Sequence, residues 1–210
     1  MSNSTVSSDE IRTLFQKVPQ LVSQLLRLLS EKERYVIEQR FNLSHSRRQT
    51  LEEIGKNFDV TRERIRQIEK SALQKLKRNV FTTALPSMFI FAKEFLKQHG
   101  GLLREDRFFN ALVEQMNLGG NFDKESVRLA LKLDPTFILV GNTIEFYPYI
   151  ALAEIDEDLI KKVCFSGEKI LEEHSDVMDR EAFISKLHKK IQNQCKLVQY
   201  NPQKIVNGFI

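Results

Sequence analysis

Residues 50–78 read TLEEIGKNFDVTRERIRQIEKSALQKLKR, and the spacing of their polar and apolar side chains decides the fold. Thr50 and Glu53 form a T-x-x-E capping box, in which each side chain satisfies an N–H that the first helical turn leaves without a partner. The helix it starts, LEEIGKNF, is short. Asp59 then stands where the chain must turn, and its short side chain tolerates the left-handed backbone region that a tight turn uses. Thr61 caps the next helix, with Val60 before the cap and Ile65 four residues into the helix spaced as a hydrophobic staple that fixes the exit angle. Gly55 supplies the small residue that lets two helices cross closely. These pieces make a helix-turn-helix whose second, recognition helix begins at or near Thr61.

Along that second helix Ile65, Ile68, Ala72 and Leu76 share one stripe at about 100° per residue, the period of an amphipathic helix. Glu63, Gln67, Lys70 and Gln74 point the opposite way, flanked by Arg66 and Lys77. Lys and Arg stand at 62, 64, 66, 70, 75, 77 and 78 against Glu63 and Glu69, a local excess greater than the +4 of the whole 210-residue chain. Such a helix puts its N-terminal residues at base edges in the major groove. There Arg pairs bidentately with guanine, Gln with adenine, and Glu accepts from cytosine N4, chemistries that Arg62, Glu63, Arg66 and Gln67 supply. Arg64 and Lys70 flank them and suit phosphates, where a cation adds affinity and salt dependence without sequence information. A solvated basic face on a purely structural helix would show the same pattern.

Upstream, Ser30 and Glu33 repeat the capping-box pattern ahead of EKERYVIEQRF, and a polar, basic loop over 42–49 leads into Thr50. Earlier still, Leu14, Val18, Leu21, Val22, Leu25, Leu28 and Leu29 recur at helical spacing around Pro19, giving two short helices or one kinked one. Residues 1–10 are Ser-rich and polar and are expected to be a disordered lead, so the helix-turn-helix domain spans 11–80.

Downstream, helices are expected over 87–98, 104–117 and 123–133, the first ended by Gly100 and Gly101. TFILVGNTIEFY then reads as two β-rich runs about a two-residue hairpin turn at Gly141 and Asn142. Three helices and a hairpin wing make a winged helix over 84–150. Phe95, Leu96, His99, Leu102, Leu103, Phe108, Phe109 and Leu112 align without a gap to Ile170, Leu171, His174, Val177, Met178, Phe183, Ile184 and Leu187. Residues 156–210 therefore read as a second, incomplete winged-helix-like unit, with NPQKIVNGFI as its third helix and no wing. Ile205, Val206, Phe209 and Ile210 there would need a cover, from self-association or a protein partner. The expected fold class is mainly α: a helix-turn-helix followed by winged-helix units with a small β-hairpin wing.

A hydrophobic fraction of 41% with 29% charged residues is ordinary for a soluble globular chain. Cys164 and Cys195 lack the spacing of a zinc site and read as plain thiols of a reducing compartment. No run approaches the roughly 20 apolar residues of a membrane span, and the first residues have neither the basic start nor the apolar stretch of a leader. His99 and His174 end repeated helices, where a cation suits the helix dipole, and His188 with Cys195 has no third ligand in view. No Gly-rich phosphate loop, paired-carboxylate site or nucleophile elbow is present, so no enzyme, catalytic residue, metal or cofactor is expected.

The run from Thr50 to Arg78, with LLSEKERYVIEQRFNL ahead of it, resembles region 4 of primary bacterial sigma factors of the sigma-70 family over about residues 25–78. VTRERIRQIE is its most specific part. The resemblance implies a bacterial cytoplasmic protein whose domain reads the −35 promoter element in double-stranded DNA and clasps the flap tip of the RNA polymerase β subunit. It implies base contacts by Arg62, Glu63, Arg66 and Gln67, and backbone contacts by Lys32, Arg40, Thr50, Leu51 and Arg64. Ser71 and Gln74 depart from the basic residues usual there, Lys70 replaces a small residue, and SHSRRQ is basic where the family is often acidic or neutral. No segment resembles the aromatic-rich region that melts the −10 element, so action as a sole sigma factor is not expected.

The middle part, through LDPTFILVGNTIEFY, resembles the HARE-type winged helix seen also in the δ subunit of bacterial RNA polymerase. Lys124, Arg128 and Lys132 share a face of its third helix and could meet phosphates. The wing itself carries no cation and is followed by Glu154, Asp156, Glu157 and Asp158, which favours a protein contact over DNA. The expected function is an accessory transcription factor that reads promoter-like DNA. The rivals are an interaction module that occupies RNA polymerase and competes with sigma, and the DNA-recognition part of a larger protein.

Overall fold

The computed structural model describes residues 8–144, 146–174 and 178–192. These fall into two compact units, one built from the chain up to Phe91 with Ala111–Asp134, the other from Ala92–Asn110 with the chain from Pro135 onward. The expected third helix of the last unit and Cys195 lie outside the described residues, as do Val177 and residues 1–7 of the lead.

The first unit opens with α1 (Ser8–Leu26), which starts inside the stretch expected to be disordered; Asp9 and Glu10 in its first turn complement the positive end of the helix dipole. It runs through Pro19 as one helix. Its buried stripe is Ile11, Phe15, Val18, Val22, Leu25 and Leu26. Leu14 and Leu21 lie at its margins and Leu28 is 54% exposed, because the i, i+4, i+7 row that starts at Ile11 is the one facing the core. Next come α2 (Glu31–Phe41), α3 (Leu51–Asn57) and α4 (Arg62–Asn79). Both capping boxes form: the Ser30 and Thr50 hydroxyls accept from the Glu33 and Glu53 amides, whose carboxylates reach back to the cap N–H groups. Each such cap stabilises its helix by about 1 kcal/mol. Val36, Ile54 and Ile65 are fully buried where α2, α3 and α4 meet, with Val60, Leu51, Phe58 and Ile68 packed around them.

The turn between α3 and α4 owes its tightness to two residues. Asp59 takes φ 51°, the left-handed conformation expected of it. A Cβ on Gly55 would lie 2.6 Å from the Val60 carbonyl oxygen, so only glycine allows the chain to fold back so closely. The Val60 N–H donates to the Gly55 carbonyl at 3.0 Å and closes the turn. α7 (Lys124–Leu133), capped by Asp123 and packed against α1, α2 and α4, belongs to the same unit.

Two helices, α5 (Leu85–Gln98) and α6 (Glu105–Met116), run through both units. α5 ends as expected, Gly100 and Gly101 taking φ 90° and 84° while the Gly101 N–H caps the Leu96 carbonyl. In the second unit β1 (Leu102–Arg104), β2 (Phe137–Val140) and β3 (Tyr149–Leu152) form an antiparallel sheet in the order β1-β3-β2. The expected two-residue turn is not there: Val140 pairs with Tyr149. YIAL wins the strand because β3 is central, bonded on both edges and buried along its whole length, whereas Ile144 in the expected strand is fully exposed. Among the described residues, α8 (Glu157–Glu172) and α9 (Arg180–Gln192) follow in this unit. They meet closely at Gly167, where a Cβ would lie 3.2 Å from the Phe183 ring. α9 begins at Arg180, the position that the internal repeat aligns with Glu105, where α6 begins.

Candidate nucleic-acid interface

α4 leaves the turn with its cap made by Thr61, whose hydroxyl accepts the Arg64 N–H at 3.2 Å. Ile65, Ala72 and Leu76 are fully buried on one side. The opposite face is open: Arg62, Glu63, Arg64, Arg66, Gln67 and Lys70 are all exposed. The four residues assigned to bases and the two phosphate candidates on this helix therefore reach solvent from one rigid element.

They are not independent of one another. The Arg66 guanidinium grips Glu63 bidentately, with Nε 2.8 Å from Oε2 and Nη2 2.7 Å from Oε1. That hydrogen-bonded pair holds the Glu63 carboxyl below its ordinary pKa and raises that of Arg66. Arg64 Nη1 donates to Gln67 Oε1 at 3.2 Å. Exposed pairs of this kind are worth little in stability. Their consequence is positional, because each long side chain is held over the helix face rather than sampling solvent.

Lys32 and Arg64 line one cleft with Ser30, Glu33, Gln67, Ile68, Ser71 and Lys75. The Lys32 ammonium also lies 4.7 Å from the centre of the Phe58 ring, a cation–π contact that anchors its stem. Thr50 and Leu51 start α3, the hydroxyl of the first engaged in the cap and the side chain of the second packed on the small core. Arg40 is more enclosed than the others: Nη1 donates to the Gln49 carbonyl at 2.9 Å and Nε faces Glu69 at 3.4 Å, with the side chain 20% exposed. It ties the loop before α3 to α2 and α4. Lys70 stands exposed on α4 and does not line that cleft.

Sequence reading missed the link between Glu33 and Lys75, 2.7 Å and 2.9 Å apart through the two carboxylate oxygens. Glu33 was assigned to its cap alone, and nothing in the spacing of residues so far apart signals their pairing. Arg47, in the basic loop, reaches Glu53 at 2.8 Å. Lys124, Arg128 and Lys132 are partly buried on α7, within the first unit. Arg128 lies 3.2 Å from Glu125, and burial lowers the pKa of both Arg128 and Lys132.

His99 Nδ1 is 2.8 Å from the Phe95 carbonyl, a helix-end contact, and His174 faces Lys186 at 3.0 Å. Among the described residues no group of three or more His, Cys, Asp or Glu could hold a metal ion, and no helix is long and apolar enough to cross a membrane.

Residues 25–78 match the family described as Sigma-70, region 4. The RNA polymerase sigma factor SigA of Clostridium acetobutylicum is 48% identical over 63 residues, 30% of this chain and 17% of that protein. SigA of a Bacillus species is 42% identical over 83 residues, 40% of this chain and 20% of that one. RpoD of Neisseria gonorrhoeae is 42% identical over 64 residues, 30% of this chain and 10% of its own. The chain thus spans a fifth or less of the length of these relatives. No solved structure matches it. The stretch from 25 to 78 is thus similar to a sigma-70 region 4 domain and is built as a helix-turn-helix.

Proposed function

We propose, taking residues 25–78 as a sigma-70 region 4 domain, that the protein is an accessory transcription factor whose α4 reads a −35-like element in duplex DNA. The observation that carries this is the open N-terminal face of α4, where Arg62, Glu63, Arg66 and Gln67 stand exposed above a buried Ile65. In this reading the four make base contacts, which discriminate sequence, while Lys32, Arg64 and Lys70 meet phosphates, which set affinity. Arg40, Thr50 and Leu51 contribute to the backbone contact mainly by holding the start of α3 in place. The sigma likeness also supports contact with the β flap of RNA polymerase, which would bring the DNA-reading face to a promoter.

Selection of duplexes from a random pool by the full chain tests the proposal. Enrichment of a short motif resembling a −35 element is the expected result. Retention of duplexes without any enriched sequence would leave α4 a basic surface and favour an interaction module on polymerase.

A further inference from the structure

Two of the four residues that α4 offers to bases are bonded to each other. Glu63 and Arg66 stand one turn apart on the open face, 58% and 55% exposed. The two carboxylate oxygens accept from two nitrogens of one guanidinium, Nε donating to Oε2 at 2.8 Å and Nη2 to Oε1 at 2.7 Å. Gln67 hydrogen-bonds Glu63 as well, and the charge of Arg62 acts on it.

The edge that each group spends decides what is left for DNA. A guanidinium carries five N–H bonds in one plane. Glu63 takes the side-on edge formed by Nε and Nη2. That leaves the end-on edge, where one N–H of Nη1 and one of Nη2 run parallel as the fork that matches O6 and N7 of guanine. The carboxylate, by contrast, is acceptor only and already has a charged donor on each oxygen, so the amino group of a cytosine would have to compete with Arg66 for it. Orientation is the second consequence. A long side chain loses freedom when it docks on a base, and one already held in place loses less. In water so exposed a pair contributes little. Bases and sugars displace water from around it, and the same pair then acts in a medium of lower dielectric. Ile65, fully buried between the two in sequence, fixes the backbone from which both rise.

We propose that Glu63 is a positioning residue, which reads no base itself but holds the Arg66 guanidinium side-on so that its tip addresses one guanine. The inference rests on the DNA-reading function proposed above, and it gives Glu63 and Arg66 one base pair in common rather than one each. Glu63 also lies in the first turn of α4, where a carboxylate complements the helix dipole. Loss of that role alone would change stability and not base preference.

The test measures binding of the full chain to the duplex enriched from the random pool and to duplexes carrying each single base-pair change in it. Wild type, Glu63→Ala, Arg66→Ala and the double variant are compared, with a melting temperature for each. Wild type is expected to prefer a G·C pair at one position by about tenfold or more. Arg66→Ala abolishes that preference, Glu63→Ala reduces it about threefold at the same position, and the double variant matches Arg66→Ala alone. Preferences at all other positions stay as in wild type. A preference altered by Glu63→Ala at a different base pair would make Glu63 a base reader in its own right and overturn the inference. So would base preferences that Glu63→Ala leaves untouched, or a loss shared equally by all duplexes with a lowered melting temperature. A pool that yields no enriched duplex would instead overturn the DNA reading, and the inference with it.

Discussion

On the α2 flank of α4, Glu33 sits in the first turn of a helix with Lys75 at 2.7 Å; on the α7 flank, Glu125 sits in the first turn of another with Arg128 at 3.2 Å. The two carboxyl groups respond in opposite directions. Glu33 is held below its ordinary pKa, chiefly by the Lys75 hydrogen bond, whereas burial pushes Glu125 above it. Exposure of the side chain does not separate them, since both are well covered, at 12% and 20%. Donors decide how far burial is offset: Glu33 collects the Lys75 ammonium on both oxygens and the N–H and hydroxyl of Ser30, whereas for Glu125, with Arg128 donating to one oxygen and Lys124 and Asp123 nearby, burial still dominates. A flank assembled from within the helix-turn-helix satisfies its charges internally. On the flank that α7 joins, Glu125 pairs with Arg128 at 3.2 Å while burial still raises its pKa.

The comparison breaks most completely if the turn that aims α4 is altered. Gly55→Ala places a methyl group where only 2.6 Å separates it from the Val60 carbonyl. Overpacking against backbone is expected to cost about 3 kcal/mol, read as a lower denaturant midpoint, and to abolish specific DNA binding. A variant that melts and binds like the parent would mean that the turn is looser than described.

A smaller effect, under about 1 kcal/mol for each group, sharpens the contrast through pH. The lowered pKa of Glu33 contributes stability present above its unfolded value and lost as pH falls through the folded one. Glu125, with its raised pKa, does the reverse: its contribution is complete below the unfolded value and is lost as pH rises through the folded one. In melting curves across pH 3 to 7, Glu33→Gln should therefore lag the parent most at neutral pH and converge on it in acid. Glu125→Gln should gain on the parent as pH rises. Identical pH profiles for the two variants would erase the distinction between the flanks.

How much could be read in advance follows the range of the interactions. The caps at Ser30, Thr50 and Thr61 and the left-handed Asp59 are signals within four residues, and each stands as read. The wing was misread because a strand is chosen by its partners: Gly141 and Asn142 look like a hairpin turn, but Val140 finds Tyr149 and β1 holds the other edge of β3. In and after α1, Val18, Val22, Leu25 and Leu29 of the expected apolar row are buried, while Leu14 and Leu21 sit at its margin and Leu28 is exposed, a difference hidden in the sequence because these three are as apolar as the residues that face the core. At the interface the exposed residues of α4 were found from helical phase alone. The Glu63–Arg66 pair lies within reach of the same phase, at i and i+3, and went unremarked. The Glu33–Lys75 link, and the packing of α7 with its cations against α2 and α4, required tertiary contacts that no local pattern encodes.

Base readout by α4 is tested most directly by competition between a −35-like duplex and a scrambled one at two salt concentrations, for the parent and for Glu63→Ala, Arg66→Ala, Gln67→Ala and Arg64→Ala. Arg66→Ala and Gln67→Ala are expected to cost the specific duplex about 1 to 3 kcal/mol each, while Arg64→Ala weakens both duplexes alike and lowers the salt slope by about one. Glu63→Ala should relax preference at one base position and leave non-specific affinity unchanged or slightly stronger, since a carboxylate near phosphates is otherwise unfavourable. Because Glu63 and Arg66 share two hydrogen bonds, their effects should not add. A parent protein without preference between the duplexes, or four variants that behave identically, would contradict the account.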